Sequence, residues 1–227
     1  ETLIQTVVDG FDQALAGRQI PGPTRFGDTN IYRSAPEAPF TTVQRQDHID
    51  PALQQARLVM NWRVPGLAQV EQTDVLDVLA SVLGRGRTSR LVQDLRERRQ
   101  WVTSISASNM SYWQQGIFNV AAQLPPENLD TVEAEIAAHI ARLCQEPITE
   151  NELQRVQTQV ANRYVFGSES PSDRAGLYGY YQTLTGQLDH ALTYPAQIQQ
   201  LTPEDIQAAA QQYLSAQAYG VLTIRPE

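Results

Sequence analysis

Between Val102 and Leu124 the residues alternate in twos, and from Pro126 to Tyr213 the apolar ones recur in threes and fours. No other feature narrows the choice of fold as sharply. A period of two belongs to a half-buried strand, and a period near 3.6 belongs to a helix with one apolar face. In "WVTSISASNMSYW", Val102, Ser104, Ser106 and Ser108 alternate with Thr103, Ile105 and Ala107; "GIFNVAAQL" follows a turn near Gln114–Gly116. The two segments read as a hairpin. Beyond them Leu129, Val132, Ile136, Ile140 and Leu143 form one helical stripe, and Leu153, Val156, Val160 and Tyr164 another. Capping boxes or their relatives announce three helix starts, at Thr149–Glu152, Ser170–Asp173 and Thr202–Asp205. In the last two, Pro171 and Pro203 take the first helical position, where a missing N–H is harmless.

The rest of the chain fits around that switch. "ARLVMNWRV" (Ala56–Val64) and the closing "YGVLTIRP" read as strands, and Val75, Leu76, Val78, Leu79 and Leu83 mark a helix ended by Gly84 and Gly86. Near the start, Leu3, Ile4, Val7, Val8, Phe11 and Leu15 recur at helical spacing up to Gly17. From there to Phe40, Pro21, Pro23, Pro36 and Pro39 impose an extended path. Residues 1–40 are therefore expected to be an N-terminal helix and a Pro/Gly-rich tether, and residues 41–227 a single domain. A hairpin, runs of helices and no regular βαβ alternation predict α+β, with an antiparallel sheet covered on one face by helices.

Composition removes several classes. At 227 residues and 41% hydrophobic the chain can bury one substantial core. No run of about eighteen apolar residues exists, so no membrane span is expected. The start at Glu1, without Met or an apolar leader, suggests a mature product or a piece of a longer protein, and nothing assigns a compartment. All seventeen basic residues are arginine, which removes Walker A and Schiff-base lysine chemistry. The single cysteine, Cys144, sits among apolar helical neighbours and reads as a buried, inert thiol.

"VLGRGRTSRLVQDLRERRQWV" places six arginines, Arg85, Arg87, Arg90, Arg96, Arg98 and Arg99, within fifteen positions of a chain of net charge -8. A phosphate loop lacks its third glycine and its lysine here. A nucleic-acid face is disfavoured by a sequence pI of 4.9 and by Asp94 and Glu97 inside the patch, so no nucleic-acid partner is expected. The residues by themselves describe a solvated amphipathic helix, with Leu91, Val92 and Leu95 inward and some arginines paired with Asp94 or Glu97.

The order of motifs carries a resemblance. Ser89-Arg90-Leu91, Leu95-Arg96-Glu97-Arg98-Arg99, Pro126-Glu127-Asn128, Ile148-Thr149-Glu150-Asn151-Glu152-Leu153, Glu169-Ser170-Pro171-Ser172-Asp173 and Leu201-Thr202-Pro203-Glu204-Asp205-Ile206 follow one another from about Asp50 to Pro226. Together they resemble the C-terminal half-module of the pitrilysin/insulinase zinc metallopeptidases, the group that includes mitochondrial processing peptidase. Members hold zinc with an H-x-x-E-H helix and a distal glutamate. Here His48, His139 and His190 are far apart, so no metal ligand and no catalytic residue is expected; His139 reads as a partly buried structural histidine, His48 and His190 as surface residues. The resemblance implies a non-catalytic chamber half that encloses unfolded peptide while a partner half or subunit carries the zinc, inactive alone. It further implies a substrate-binding arginine and, seven residues on, a tyrosine. Arg96 holds the first position and Thr103 the second; otherwise Arg96 is a helix-end partner of Glu97 or Asp94. The alternative is a structural module like the family's respiratory-complex core subunits, without proteolytic role.

Overall fold

The computed structural model describes residues 35–227, so the expected N-terminal helix and most of the tether lie outside the described residues. Five strands, β1 (Gln44–Ile49), β2 (Ala56–Pro65), β3 (Ser104–Ser111), β4 (Gln115–Leu124) and β5 (Gly220–Arg225), form one sheet in the order β1-β5-β2-β4-β3. Every neighbouring pair is antiparallel except β1–β5, which is parallel. Six α-helices pack as a layer on it: α1 (Val70–Gly84), α2 (Leu129–Gln145), α3 (Glu150–Phe166), α4 (Pro171–Thr185), α5 (Asp189–Gln200) and α6 (Pro203–Tyr213). A π-helix spans Val92–Arg98.

Alternation dictates which way each strand faces. Leu58, Met60, Trp62 and Val64 of β2 and Phe118, Val120, Ala122 and Leu124 of β4 point at the helices and are buried; their neighbours reach solvent in part. The expected stripes supply the opposite wall, with Val132, Ile136, Ile140 and Leu143 of α2 and Leu153, Val156 and Val160 of α3 all in the core. Trp62 crosses the core to donate its Nε1–H to the Ser215 carbonyl at 2.8 Å. The three helix starts form as the capping residues require: Thr149, Ser170 and Thr202 each accept from the amide three residues on, and Thr202–Asp205 is a complete capping box.

Two segments owe their positions to partners far along the chain. β1 is exposed at every position, so it carries no alternation to read. It is held beside β5 by Arg45, which reaches the buried Glu133 of α2 at 2.6 Å, and by Asp47, which accepts from Thr223 Oγ1 at 2.5 Å. The described end of the tether does not float. Gln115 exchanges two hydrogen bonds with the Glu37 backbone, and Arg63 lies 4.3 Å from the centre of the Phe40 ring while donating to the Ala38 carbonyl at 2.6 Å.

Candidate functional site

The arginine-rich helix winds as a π-helix because of one buried carboxylate. Asp94, on its inner face, accepts from Arg98, from Arg99 Nε at 3.0 Å and from His139 Nε2 at 2.9 Å. An i→i+5 turn brings both of two consecutive arginines back over residue i, and the backbone shows it: the Arg99 amide donates to the Asp94 carbonyl at 3.0 Å. Burial pushes the Asp94 carboxyl up, but the hydrogen bonds from His139, Arg98 and Arg99 outweigh it and hold it at about 2. Burial, together with the charges of Arg142 and Arg90, lowers the His139 imidazole more than Asp94 raises it, so His139 is neutral at neutral pH and donates to the carboxylate.

Most of the arginine patch proves to be paired. Arg90 forks onto Glu152 of α3 with bonds of 2.9 and 2.7 Å, Arg99 also meets Glu135 at 2.9 Å, and Arg87 lies 3.7 Å from Glu97. A cleft of about 460 Å³ between the π-helix and α2 is lined by Arg90, Gln93, Asp94, Arg98, His139, Arg142 and Glu146. With carboxylates interleaved, it is not a cationic funnel. The sequence reading of a surface helix holds for its outer face, but Asp94 is buried.

Arg96 sits on that outer face and, among the described residues, pairs only with its neighbour: Nε and Nη2 lie 3.0 and 2.5 Å from Glu97 Oε1. This bond is the main reason the Glu97 carboxyl titrates below its ordinary range. Thr103 stands on the far side of the turn that joins the π-helix to β3, where Gln100 takes a left-handed φ of 56°, the one non-glycine to do so among the described residues. Thr103 is exposed; its amide donates to the Gln123 carbonyl at 2.8 Å and its hydroxyl accepts from Gln55 Nε2 at 2.9 Å. No hydrogen bond joins Arg96 to Thr103. The turn places them at the two ends of one connection leading into β3.

β3 itself is an open sheet edge. Among the described residues no strand pairs with its outer side, and "SISASNMS" contains no charge and no proline, the devices that usually blunt an edge. Beyond its far end Tyr112 is 58% exposed, with Met110 at 40% and Tyr180 of α4 at 44%, and Tyr180 donates to the Ser111 carbonyl at 3.2 Å. This strip combines residues from distant parts of the chain, so no local spacing signals it.

His48, Cys144 and His190 lie on different elements, β1, α2 and α5. His48 is exposed on β1, and Cys144 is half-buried, its thiol pushed up by burial and 3.6 Å from the Leu214 carbonyl. His190, expected at the surface, is only 8% exposed, because α5 packs onto α1 and sets its ring beside Asp74. Among the described residues no three His, Cys, Asp or Glu side chains converge to hold a metal ion, so these residues do not fit a zinc ion. Nor is any helix among them long and apolar enough to cross a membrane.

These features define a helix-backed α+β module with an open, uncharged sheet edge beside an arginine-bearing helix. Residues 18–160 match the family model of the peptidase M16 inactive domain, and the chain belongs to that family. It is 29% identical over 227 residues to an uncharacterized zinc protease of Mycobacterium tuberculosis, covering 99% of this chain and 49% of that protein. Over 86 residues it is 33% identical to the alpha subunit of the mitochondrial-processing peptidase of Caenorhabditis elegans, covering 38% of this chain and 16% of that one. The crystal structure of a protease from Helicobacter pylori superimposes with a TM-score of 0.79 at 20% identity, across 98% of this chain and 52% of the other. The chain thus spans at most about half the length of these relatives.

Proposed function

We propose that this chain is the non-catalytic half of a peptide-enclosing chamber in a zinc metalloendopeptidase, the zinc being carried by a partner half or subunit. The observation that carries this reading is the open β3 edge. An unfolded peptide can add to it as a further strand, gaining affinity from main-chain hydrogen bonds with little demand on sequence. Residues 41–227 act as the chamber module and residues 1–40 as its N-terminal helix and tether.

In this reading Arg96 and Thr103 flank the entry to β3 and contact the substrate. The Arg96 guanidinium leaves Glu97 to donate to a peptide carbonyl, holding the chain in register with the partner's zinc, which supplies the activated water. The Thr103 hydroxyl reaches less far than the phenol that the family carries at this place, and acts on the peptide backbone alongside β3. That shorter reach favours one second reading, a structural module that keeps the fold without aiding cleavage.

The deciding experiment follows cleavage of a quenched, unstructured peptide by the zinc-motif-bearing half, with and without this chain. Stimulation that a zinc chelator abolishes supports the chamber reading. A stable complex without stimulation assigns the structural one.

A further inference from the structure

Four buried side-chain polar atoms among the described residues lack an aligned hydrogen-bond partner: Asp74 Oδ1, Asn109 Oδ1, His190 Nε2 and Gln197 Oε1. They belong to only three elements, α1, β3 and α5. His190 Nε2 approaches Asp74 Oδ1 to 3.0 Å, yet off the direction a hydrogen bond needs, so the contact satisfies neither atom. Folded proteins pair nearly all such groups, so their concentration in three elements calls for a reason. One turn along α1, Asp77 ties the same elements together. Its Oδ1 accepts from Asn109 Nδ2 and its Oδ2 from the Tyr194 hydroxyl, each at 3.2 Å.

The part of the molecule held by this junction is loosely built. α4 has no fully buried residue, and Gly176 and Gly179 within it have open space where a side chain would be. The C-terminal end of α5 is anchored firmly by the buried Ile198 and by Gln157, whose amide donates to the Ile198 and Leu201 carbonyls at 3.0 and 3.1 Å. Its N-terminal end is held by the buried Ala191 and by two hydrogen bonds, the Tyr194 hydroxyl on Asp77 and the Tyr164 hydroxyl on the Ala191 carbonyl at 2.5 Å. α4 in turn closes on the end of β3 through Tyr180.

We propose that the α4–α5 hairpin is a proton-controlled latch over the far end of β3, closed while Asp74 and Asp77 are neutral and loosened as they ionise. The groups around these carboxyls are Glu71 on α1, Arg85 after it, Arg163 and Tyr164 on α3, Tyr180 and Tyr181 on α4, and His190 and Tyr194 on α5. Burial raises Asp77 to about 6, against the hydrogen bonds from Asn109 and Tyr194 and the charge of Arg85, and burial raises Asp74 as well. In an open hairpin both carboxyls meet water and return to the ordinary range. Ionisation therefore favours opening, and opening uncovers the Ser111 end of the β3 edge. The effect on peptide rests on the function proposed above; the latch itself does not.

The test is hydrogen–deuterium exchange of the α4 and α5 amides, corrected for intrinsic rates, from about pH 5 to about pH 7.5, where linkage through Asp77 alone predicts roughly tenfold lower protection at the higher pH. Asp77→Asn should keep these helices protected throughout. If that variant does not fold, Tyr194→Phe serves: it removes a donor to the ionised carboxylate and should move the midpoint to higher pH. Protection that is flat with pH, that falls equally in α2 and α6, or that responds unchanged in both variants overturns the latch. Adding an unstructured peptide separates the two ideas. Opening without binding at any pH sinks the peptide edge and leaves the latch standing, whereas binding with a pH-independent hairpin does the reverse.

Discussion

Gly84 ends α1 directly beneath Ala107 of β3, so close that a Cβ on it would stand 2.2 Å from the Ala107 amide nitrogen. The glycine serves the approach of helix to strand, whereas Gly86, with φ of +87°, makes the turn that follows. Because the obstacle is backbone, Gly84→Ala should lower stability by about 1–3 kcal/mol, the range of overpacking with backbone displacement. Urea unfolding reads it: the midpoint should fall with an unchanged slope, and an unchanged midpoint would show that β3 can yield.

Acid should weaken the molecule through Asp94. Its folded pKa, about 2, lies below the ordinary carboxylate range, so its contribution is full above that range and is lost as pH falls from about 4 towards 2. His139, depressed by burial, acts in the same sense: its share is present above its ordinary value and lost as pH falls through the lowered one. Asp94→Asn should remove about 2 kcal/mol at neutral pH by leaving Arg98 and Arg99 without their acceptor charge. It should also flatten the fall in thermal midpoint below about pH 4. A variant as acid-sensitive as the parent would move the effect to other carboxylates.

The start of α6 offers a cleaner measurement. Thr202 and Asp205 satisfy each other's backbone amides, at 3.2 and 2.9 Å, on an exposed turn with little packing to confuse the result. Thr202→Ala should cost about 1 kcal/mol. A loss below a few tenths would mean that solvent caps this helix equally well.

Among the described residues Arg96 makes one ion pair, with an adjacent surface residue, so Arg96→Ala should leave the unfolding curve in place. Under the proposed function, the same change should lower kcat/KM of the zinc-bearing half paired with this chain by about tenfold or more if the guanidinium touches the reacting peptide. Thr103→Tyr, which restores the longer hydroxyl, should raise kcat/KM over the parent. A rate indifferent to both substitutions would assign this chain to a structural role.

Much of this architecture can be read from residue order. The alternation around Ile105 and Ala107, the stripes of α2 and α3 and the three caps all rest on contacts within a few residues, and each element stands where those contacts put it. The strand at Gln44–Ile49 is silent because neither of its faces is buried; its pairing depends on Glu133 and Thr223, far along the chain. The π winding and the burial of His190 are silent for the same reason, since Asp94 and Asp74 acquire their partners only when helices meet. Arg96 and Thr103 are legible through motif order, whereas the Tyr112–Tyr180 strip exists only in three dimensions.

β5 lies between β1 and β2, although among the described residues those two strands precede the six α-helices and β5 follows them. On the ribosome, the first two strands must therefore wait with a gap between them until the last strand emerges. Until then β2 has a bare flank, and among the described residues β1 has no strand to pair with. Such late, distant pairing makes folding slow. A chain truncated before Gly220 would present an adhesive, half-made sheet to its neighbours in the cell.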